Sequence, residues 1–390
     1  MTPFPATAII DLDAVCANLR ALREATNPGA RIMAVVKADA YGHGCIQISK
    51  TALSNGAEWL GVARIEEGRK LREAGISAPI LVFGYIPEPD LPDLIEFDLT
   101  ATAFSIQFAK SISEVAGRLG KTIRVHAKID TGMGRLGLLP DANRIPGDTG
   151  RRLDALNADI LKISKLPGLD LEGIYTHFAT ADGKDLDYAS SQFELFLDLV
   201  ERLGDSGLKV PILHAANSGA TINMPETHLD MVRTGIAIYG LYPSKETDRS
   251  RIDLTPAMTL KTRLVLLKQV PAGFPVSYGG AYTTTSPTVV GTVPIGYADG
   301  YHRALSNRGE MLVQGRKAPV IGRVCMDFTL LDVGHIPEVS LGDEVVVIGK
   351  QGGEIISADN LADALDTINY EIVTSVSDRI PREYCGGRWS

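Results

Sequence analysis

The chain has 390 residues, of which 45% are hydrophobic, and a formal net charge of −8. This length exceeds the size at which one hydrophobic core usually stops growing, so we expect one domain of roughly 250 residues and a smaller second domain. The acidic balance and the lack of any basic block argue against nucleic acid or an anionic membrane as partner and favour small-molecule chemistry.

The cysteines and the N-terminal segment indicate the compartment. The four cysteines form no CxxC pair, so neither a disulfide framework nor a metal site is predicted; they are Cys16, Cys45, Cys325 and Cys385. The first residues, MTPFPATAIIDLDAV, lack the basic start and long apolar segment of a signal peptide. No run approaches the ~18 apolar residues of a membrane span. We therefore predict a cytoplasmic protein that does not enter a membrane.

Eight strand-like runs alternate with amphipathic helical patterns over the first two thirds of the chain. The strand-like runs are 31–38, 58–63, 78–84, 99–104, 122–129, 171–178, 211–216 and 230–237. The helical patterns between them include 44–56, 65–75, 105–120 and 188–204. This alternation predicts an α/β fold, a TIM-type (β/α)8 barrel over residues 11–252.

The pattern changes near Arg251, where glycine and proline become frequent and helical periodicity is lost. Strand-like runs follow at 262–270, 286–295, 317–333 and 341–349. They predict a mostly β domain over residues 253–390. A late helix is predicted to begin after Ser357, a residue suited to an N-cap. Residues 1–10 read as an additional strand that could pair in either domain, and we group it with the second.

Polar and charged residues follow the barrel strands at their carboxyl ends, where barrel enzymes place their reactive groups. Each has an ordinary structural explanation when taken alone, such as a core histidine or a helix cap. Their joint occurrence at one end of the barrel predicts a functional site. In strand order these residues are Lys37, Arg135, His177, Asn217, Ser218, Arg233, Gly235 and Ile236.

Lys37 suggests the chemistry of this site. It follows three small apolar residues in AVVKADAYGHG, at the end of a predicted strand. A lysine there, beside cations that lower its pKa, is suited to imine formation, because the free amine is the nucleophile. We expect pyridoxal 5'-phosphate as its partner. The stretch RTGIAIYG offers backbone N–H groups for the phosphate, and Ser218 and Tyr41 could add hydroxyls.

Several longer motifs carry a family resemblance. They are VVKADAYGHG (35–44), KIDTGMGRLG (128–137), EGIYTHFATAD (172–182), AANSGA (215–220), VRTGIAIYGLYP (232–243), VSYGGAY (276–282), PIGYADGY (294–301), GRVCMDF (322–328) and INYEI (368–372). Over nearly the whole chain, the sequence resembles the alanine racemases, which are barrel-type (fold-type III) pyridoxal phosphate enzymes.

The resemblance implies a two-base reaction. Lys37 would hold the cofactor and act as one catalytic base, and Tyr278, contributed by the partner subunit, would act as the other. One base removes the α-proton and the other returns it from the opposite face, which interconverts L-alanine and D-alanine. The resemblance therefore implies a homodimer with shared active sites. The reaction would supply D-alanine for peptidoglycan or degrade it.

Further roles follow from the same resemblance. His177 would link Tyr278 to Arg233, and Arg233 would face the pyridine nitrogen of the cofactor. Lys128 matches a position where some family members carry a carbamylated lysine that orients Arg135. The implied cofactor contacts are Lys37, Tyr41, Arg135, His177, Asn217, Ser218, Arg233, Gly235, Ile236 and Tyr370. The implied substrate contacts are Arg135, Tyr297, Cys325, Met326 and Asp327.

Three alternatives stay open. A racemase of serine, lysine or arginine would use the same residues with a larger pocket. A decarboxylase of basic amino acids shares the barrel lysine and a cysteine comparable to Cys325. That reaction needs a carboxylate facing the pyridine nitrogen, however, and Arg233 occupies the matching position. A non-catalytic pyridoxal phosphate-binding protein would have no use for the second domain.

Overall fold

A computed structural model describes residues 5–139 and 149–387 of the chain. The described residues divide into two compact units. The barrel unit consists of Val15–Ala40 and Cys45–Thr255, and the β unit consists of Met1–Ala14, Tyr41–Gly44 and Pro256–Ser390. The domain limits given above, 11–252 and 253–390 with 1–10, stay predictions, and 1–4 and 388–390 lie outside the described residues.

The barrel unit is built on eight parallel strands, whereas β1 (Ala6–Asp11) belongs to the β unit. The barrel strands are β2 (Arg31–Val35), β3 (Trp59–Val62), β4 (Ile80–Val82), β5 (Thr100–Ala103), β6 (Ile123–Lys128), β7 (Leu169–Tyr175), β8 (Ile212–His214) and β9 (Met231–Thr234). Their order is β8-β7-β6-β5-β4-β3-β2-β9. The N–H groups of Asp230 and Arg233 donate to carbonyls at Leu213 and Ala216, which joins β9 to β8. The predicted parallel barrel is therefore confirmed.

Large apolar side chains fill part of the barrel interior. Because helices cover the outside, most residues of these strands are buried and most of the strands read in the sequence as apolar runs; β7, whose first four residues are not buried, is an exception. Burying each large side chain contributes about 1.5–3 kcal/mol relative to exposure. One buried cluster consists of Met33, Trp59, Leu81, Tyr175, Ile212 and Met231, with Phe83 packed against it.

The helices of the first two thirds of the chain agree with the predicted pattern. For example, the helix over Ile106–Leu119 begins at Ser105, whose hydroxyl accepts the N–H of Phe108, and ends at Gly120 with left-handed backbone. The helices are α1 (Leu12–Ala25), α2 (Lys37–Tyr41), α3 (Cys45–Ser54), α4 (Ile65–Glu73), α5 (Asp93–Glu96), α6 (Ile106–Leu119), α7 (Thr149–Ile163), α8 (Asp187–Asp205) and α9 (Ser218–Asn223). The short α2 is a left-handed turn.

The β unit contains two main sheets. Besides β1, its strands are β10 (Met258–Arg263), β11 (Leu266–Val270), β12 (Pro275–Val276), β13 (Tyr282–Thr283), β14 (Thr288–Val293), β15 (Glu310–Val313), β16 (Arg316–Pro319), β17 (Thr329–Asp332), β18 (Glu344–Gln351), β19 (Glu354–Ile356) and β20 (Arg382–Cys385). One sheet has the order β16-β15-β18-β10-β1-β20, with β19 paired to β18, and the other is β11-β14-β17; β12 and β13 form a hairpin. The first strand β1 pairs with β10 and β20, which confirms the additional strand predicted near the N-terminus.

Two helices close this part of the chain, α10 (Ala358–Leu365) and α11 (Asn369–Thr374). The predicted N-cap is confirmed, because the N–H of Asn360 donates to the Ser357 hydroxyl at 3.0 Å. Among the described residues, no helix combines the length and the apolar character that a membrane crossing requires.

Two predicted continuous strands are interrupted. The run 262–270 divides into β10 and β11, and the run 317–333 divides into β16 and β17. In the second run Gly322 has φ of 76°, which extended strand pairing does not allow, and the N–H of Cys325 folds back onto the carbonyl of Phe328. The prediction of one long strand was wrong because the apolar residues in the middle of this run, Ile321, Val324 and Phe328, lie in a loop between the two strands.

Candidate active site

Lys37 lies two residues after the end of β2 and begins the left-handed turn α2. Ala38, Asp39 and Ala40 have φ/ψ of 51°/51°, 50°/48° and 56°/49°. This conformation costs a non-glycine residue about 1–2 kcal/mol, so neighbouring groups must hold it. Burial, followed by the charge of Arg135, lowers the pKa of the Lys37 ammonium. The lower pKa increases the free amine that covalent chemistry requires.

Arg233 lies in β9 and is only 4% exposed. Its Nη2 donates to the carbonyl oxygens of Thr176 at 2.8 Å and Ala215 at 2.9 Å. Two imidazole nitrogens are also near: His214 Nδ1 lies 3.1 Å from Nη1, and His177 Nδ1 lies 3.2 Å from Nη2. Burial lowers the pKa of Arg233 to about 10, so the guanidinium remains a cation at neutral pH.

The contacts of Arg233 fix the proton positions on a chain of buried histidines. Arginine only donates hydrogen bonds, so His214 accepts at Nδ1 and carries its proton on Nε2. That Nε2 lies 2.8 Å from His126 Nδ1, which must accept in turn. His126 then carries its proton on Nε2, 3.5 Å from Glu172 Oε2. The hydrogen bonds from Arg233 to His214 and from His214 to His126 therefore run in one direction. The Nε2 proton of His126 lies on the side of the Glu172 carboxylate but is not hydrogen-bonded to it.

The charge states support this direction. Burial, followed by the charge of Arg233, holds the pKa of His214 well below its usual range. Burial also lowers the pKa of His126, although Glu172 opposes the effect. The same causes, burial and then Arg233, hold the pKa of His177 well below its usual range. All three imidazoles are therefore neutral at neutral pH. Because His177 accepts at Nδ1, its proton lies on Nε2, facing away from Arg233.

Lys128 ends β6 and is 4% exposed. Its ammonium lies 5.7 Å from the centre of the Tyr175 ring. Burial, followed by the charges of Arg135 and Arg233, lowers the pKa of Lys128 to about 8. Lys37 contributes to the same lowering, so these four cations are close enough to influence one another.

The residues predicted to bind phosphate lie where β8 and β9 end. Asn217 caps α9, because its side chain accepts the N–H of Ala220 at 2.9 Å. Ser218 is buried, and its hydroxyl oxygen accepts the N–H of Gly235 at 2.8 Å. Ile236 begins a short 3-10 turn. The Gly235 N–H is thus already bonded within the chain, whereas the Ser218 hydroxyl proton remains available to an acceptor.

The β unit presents a second group of predicted site residues. Tyr278 is 71% exposed, in a short 3-10 turn. The hydroxyl of the preceding Ser277 donates to the carbonyl of Arg323 at 2.7 Å and lies 3.7 Å from Cys325 Sγ. The N–H of Tyr297 donates to the Cys325 carbonyl at 3.0 Å. These contacts bring together three motifs that are separate in the sequence.

The remaining predicted residues have their own partners within the β unit. Asp327 accepts a hydrogen bond from Arg379 at 2.8 Å, and Met326 is 53% exposed. The rings of Tyr41 and Tyr370 lie 6.0 Å apart, centre to centre. The predicted residues therefore form a barrel group and a β group. The barrel group is Lys37, Lys128, Arg135, His177, Asn217, Ser218, Arg233, Gly235 and Ile236. The β group is Tyr41, Tyr278, Tyr297, Cys325, Met326, Asp327 and Tyr370.

Sequence reasoning missed the histidine chain behind Arg233. His126 and His214 each interrupt an apolar strand-like run, TIRVHAKI and PILHAA, and this interruption was the available signal. Glu172 gave no signal, because its position depends on a register shift between β6 and β7. Val125 pairs with Leu171 and the next residue pairs with Gly173, which leaves Glu172 as an unpaired bulge residue.

Comparison with known proteins covers both units. The family model "Alanine racemase, N-terminal domain" matches residues 10–243, and "Alanine racemase, C-terminal domain" matches residues 257–384. An alanine racemase of Desulfosudis oleivorans is 52% identical over 99% of this chain and 98% of its own length. One from Methanococcus maripaludis is 46% identical over 98% of this chain and 100% of its own length.

Solved structures agree with the sequence relatives. Alanine racemase of Clostridium difficile has a TM-score of 0.91 and 37% identity, over 99% of this chain and 97% of that one. The crystal structure of alanine racemase from Bacillus anthracis with bound L-Ala-P has a TM-score of 0.90 and 38% identity, over 99% of this chain and 96% of that one. With two family models matched and near-complete coverage in both directions, the chain belongs to the alanine racemase family.

Proposed function

We propose that the chain interconverts L-alanine and D-alanine, with pyridoxal 5'-phosphate bound covalently through Lys37. Lys37 and Tyr278 of the partner subunit would be the two proton-transferring groups. The observation that carries this proposal is the environment of the half-buried Lys37, which lies in a group of cations at the carboxyl ends of the barrel strands. Burial and the charge of Arg135 lower the pKa of its ammonium. Membership of the alanine racemase family supports the choice of substrate.

The residues of the barrel group fit this cofactor chemically. A covalent link needs a free amine, which Lys37 supplies. The anionic phosphate needs donors, and the Ser218 hydroxyl proton is available beside the first turn after β9. The family resemblance adds Tyr41, Ile236 and Tyr370. When bound, pyridoxal phosphate would delocalise the negative charge that proton removal leaves on the α-carbon.

Arg233 would limit how strongly the cofactor ring withdraws the negative charge from the α-carbon. It donates from a guanidinium with a pKa of about 10, so it keeps its own protons at neutral pH. A donor of this kind does not leave a full proton on a pyridine nitrogen, so protonation there is weak. Return of the proton to the α-carbon is thereby favoured over side reactions. Decarboxylation, which needs a carboxylate at this position, is disfavoured for the same reason.

The two bases would act on opposite faces of the substrate. Lys37 would take or return the proton on one face, and the Tyr278 hydroxyl would do so on the other. Tyrosine has an unperturbed pKa of about 10, so its phenolate needs a hydrogen-bond donor. His177 could supply this donor, because it is neutral and carries its proton on Nε2. A homodimer that shares its sites between subunits follows from these roles.

Lys128 would act through Arg135. With its pKa lowered to about 8, a useful fraction of Lys128 is free amine at neutral pH, and free amines combine with carbon dioxide to form carbamates. A carbamate would replace one of four neighbouring positive charges with a negative one, and it could accept a hydrogen bond from Arg135. Arg135 would then be oriented towards the substrate carboxylate.

The remaining assignments rest on the family resemblance. The Met326 backbone would receive the substrate carboxylate, with Cys325 and Asp327 beside it in the chain. Tyr297 and Tyr370 would narrow the entrance around a methyl side chain. A cytoplasmic location likewise stays a prediction.

The test is to incubate the purified protein with pyridoxal phosphate and L-alanine in D2O, followed by chiral chromatography with mass detection. We expect deuterated D-alanine, which would establish exchange of the α-proton with inversion. Parallel incubations with serine, lysine and arginine measure specificity. Turnover of these amino acids without turnover of alanine would contradict the assigned substrate. Absence of any reaction in protein with bound cofactor would favour a binding protein.

A further inference from the structure

Apart from Tyr41 at its end, the left-handed turn after Lys37 has no role in the proposed mechanism. Ala38, Asp39, Ala40 and Tyr41 all have φ between 50° and 56°. Four consecutive non-glycine residues in this conformation are unusual, because each side chain crowds the following carbonyl oxygen. Strained backbone of this kind persists only where surrounding groups hold it firmly, and it is concentrated at functional sites.

One carboxylate holds the first residue of this turn. Glu67 lies in the first turn of α4, where the helix dipole favours a negative charge. Its Oε1 accepts the N–H of Ala38 at 2.6 Å, and its Oε2 accepts the N–H groups of Ala63 at 2.7 Å and Arg64 at 3.0 Å. Glu67 therefore joins the loop after β3 to the residue that follows Lys37.

The same helix holds the next residue of the turn. Lys70 lies three residues after Glu67 on α4, and its ammonium is 3.0 Å from Asp39 Oδ1. That oxygen also accepts the N–H of Cys45, at the start of α3, at 3.0 Å. Two successive residues of the turn are thus fixed by two side chains of one helix.

We propose that Glu67 is a positioning residue for Lys37, with the Lys70–Asp39 pair as its support. The peptide plane between Lys37 and Ala38 sets the direction in which the Lys37 side chain leaves the backbone, and Glu67 fixes that plane through the Ala38 N–H. The inference depends on the proposed function only in taking Lys37 as the residue that binds the cofactor.

Ordinary helix capping explains only part of these contacts. A glutamate at the third position of a helix commonly accepts the N–H of the N-cap residue, and the bond from Arg64 is of that type. The hydrogen bond from Ala38 is different, because Ala38 does not belong to the segment that leads into α4. Ala38 follows β2, whereas α4 follows β3. A glutamine at position 67 would have one acceptor oxygen, and its amide N–H2 group would face a backbone donor.

The first variant is Glu67→Gln, and its matched control is Glu66→Gln. Glu66 is the neighbouring carboxylate on α4 and is exposed, and the N–H of Ala38 donates to Glu67 rather than to Glu66. The second variant adds Ala38→Gly to Glu67→Gln. Glycine adopts left-handed backbone without steric cost, and Ala38 is exposed, so this change relieves the strain without leaving a cavity.

The readout is the rate at which apoprotein captures pyridoxal phosphate on Lys37, followed by absorbance and verified by borohydride trapping and peptide mapping. We expect Glu67→Gln to slow capture about tenfold, because a small misplacement of a reacting group costs much of its rate. Ala38→Gly should restore most of the lost rate. Glu66→Gln should stay within about twofold of the unmodified chain. In turnover, kcat should fall with little change in KM for alanine.

The direction of the change separates geometry from charge. The charge of Glu67 opposes burial and raises the pKa of Lys37, so its removal alone would increase the free amine and speed capture. Slower capture therefore reports a displaced side chain. Hydrogen exchange of the peptide spanning 36–45, measured without cofactor, should rise in Glu67→Gln and fall again when Ala38→Gly is added.

Three outcomes would overturn the proposal: capture as fast as in the unmodified chain, faster capture, or slower capture that Ala38→Gly does not restore. If Glu67→Gln does not fold, Lys70→Met removes only the supporting contact, and it should slow capture about threefold. Unchanged capture in that variant would then decide against the proposal. Failure of the unmodified chain to bind pyridoxal phosphate would contradict the proposed function instead, while hydrogen exchange would still test the contact itself.

Discussion

The surroundings of Lys37 and Tyr278 differ sharply. Lys37 lies in the barrel unit, where burial and Arg135 lower its pKa and where α4 holds the next two residues of the chain. Tyr278 is 71% exposed, whereas the backbone around it is anchored: the Ser277 hydroxyl contacts the loop containing Cys325, and Asn307 donates to the carbonyl of Ala281. The barrel unit therefore holds Lys37 and the residues after it in place, whereas the β unit fixes the backbone next to Tyr278 and leaves its ring exposed.

This difference indicates where a second surface is needed. A phenol that acts as a base requires donors to stabilise its phenolate, and an exposed ring has only water. Other large apolar side chains of the β unit are exposed as well: Met326 at 53%, Phe328 at 47% and Tyr297 at 42%. Several exposed apolar side chains in one region are typical of an interaction surface. The proposed homodimer would provide both the donors and the cover.

The largest expected effect is that of Lys37→Ala. Without this amine, covalent capture of pyridoxal phosphate and one of the two bases are lost together, so we expect kcat to fall by at least about 10⁴-fold. Borohydride trapping followed by peptide mapping measures the attachment, and Lys110→Ala, at a lysine on the exposed side of α6, is the control. An adduct that persists on another lysine in Lys37→Ala would remove Lys37 from this role.

Replacing Tyr278 should affect the two enantiomers unequally. Tyr278→Phe keeps the ring but removes the hydroxyl, and we expect abstraction of the α-proton from one enantiomer to slow about 10³-fold. Exchange with the other enantiomer, which depends on Lys37, should be much less affected. Deuterium incorporation measured separately from L-alanine and D-alanine gives both rates, with Tyr282→Phe as control. Equal, modest losses for both enantiomers would contradict the two-base scheme.

Mixing the two inactive variants tests whether the site is shared. A heterodimer of Lys37→Ala and Tyr278→Phe subunits contains one site with both native residues and one with neither. Random exchange should therefore recover about a quarter of the native activity, a gain of about 10²-fold or more. Differently tagged subunits allow heterodimers to be isolated and counted. Heterodimers that form without any gain in activity would place Tyr278 in a site with Lys37 of the same chain.

Much of the fold could be predicted because its physical causes are local. Most barrel strands are buried on both faces and appear as apolar runs, and all eight predicted runs contain or overlap an observed strand. The run 317–333 was interpreted wrongly because burial in a loop and burial in a strand give the same pattern. The reversal at Gly322 depends on backbone conformation, which apolar periodicity does not report.

The site was predictable to the extent that strand ends are predictable. Lys37, His177 and Arg233 were predicted to lie together because the carboxyl ends of barrel strands converge, and in the structure the charges of Arg233 and Lys37 do act on His177. The positions of Glu67 and Glu172 were not predicted, because their contacts depend on a left-handed turn and on a bulge. Neither feature has a required residue type: the turn consists of ordinary residues rather than glycine, and the bulge is a shift in strand pairing.

The smallest expected effect concerns the acid stability of the barrel unit, since its interior depends on neutral histidines. Burial lowers the pKa of His126, His177 and His214 below the ordinary value of 6.5. Below pH 6.5 each binds a proton more readily in the unfolded chain than in the folded one. Their contribution is therefore complete above about pH 6.5 and is lost as the pH falls towards the folded-state pKa, by up to about 1.4 kcal/mol per pH unit for each group.

Urea unfolding between pH 8 and pH 5.5 measures this loss. Trp59 is buried in the barrel unit, and the centre of its ring lies 5.3 Å from that of His126. Its fluorescence therefore reports on this unit. Trp389, which lies outside the described residues, is first replaced by phenylalanine so that it does not contribute to the signal. We expect the free energy of unfolding to be independent of pH above pH 6.5 and to decrease as the pH falls below that value. His214→Gln should reduce the slope of the free energy of unfolding against pH by the contribution of one histidine. His335→Gln, at an exposed histidine of the β unit, should leave that slope unchanged. If His335→Gln reduced the slope as much as His214→Gln, acid sensitivity would not distinguish the two units.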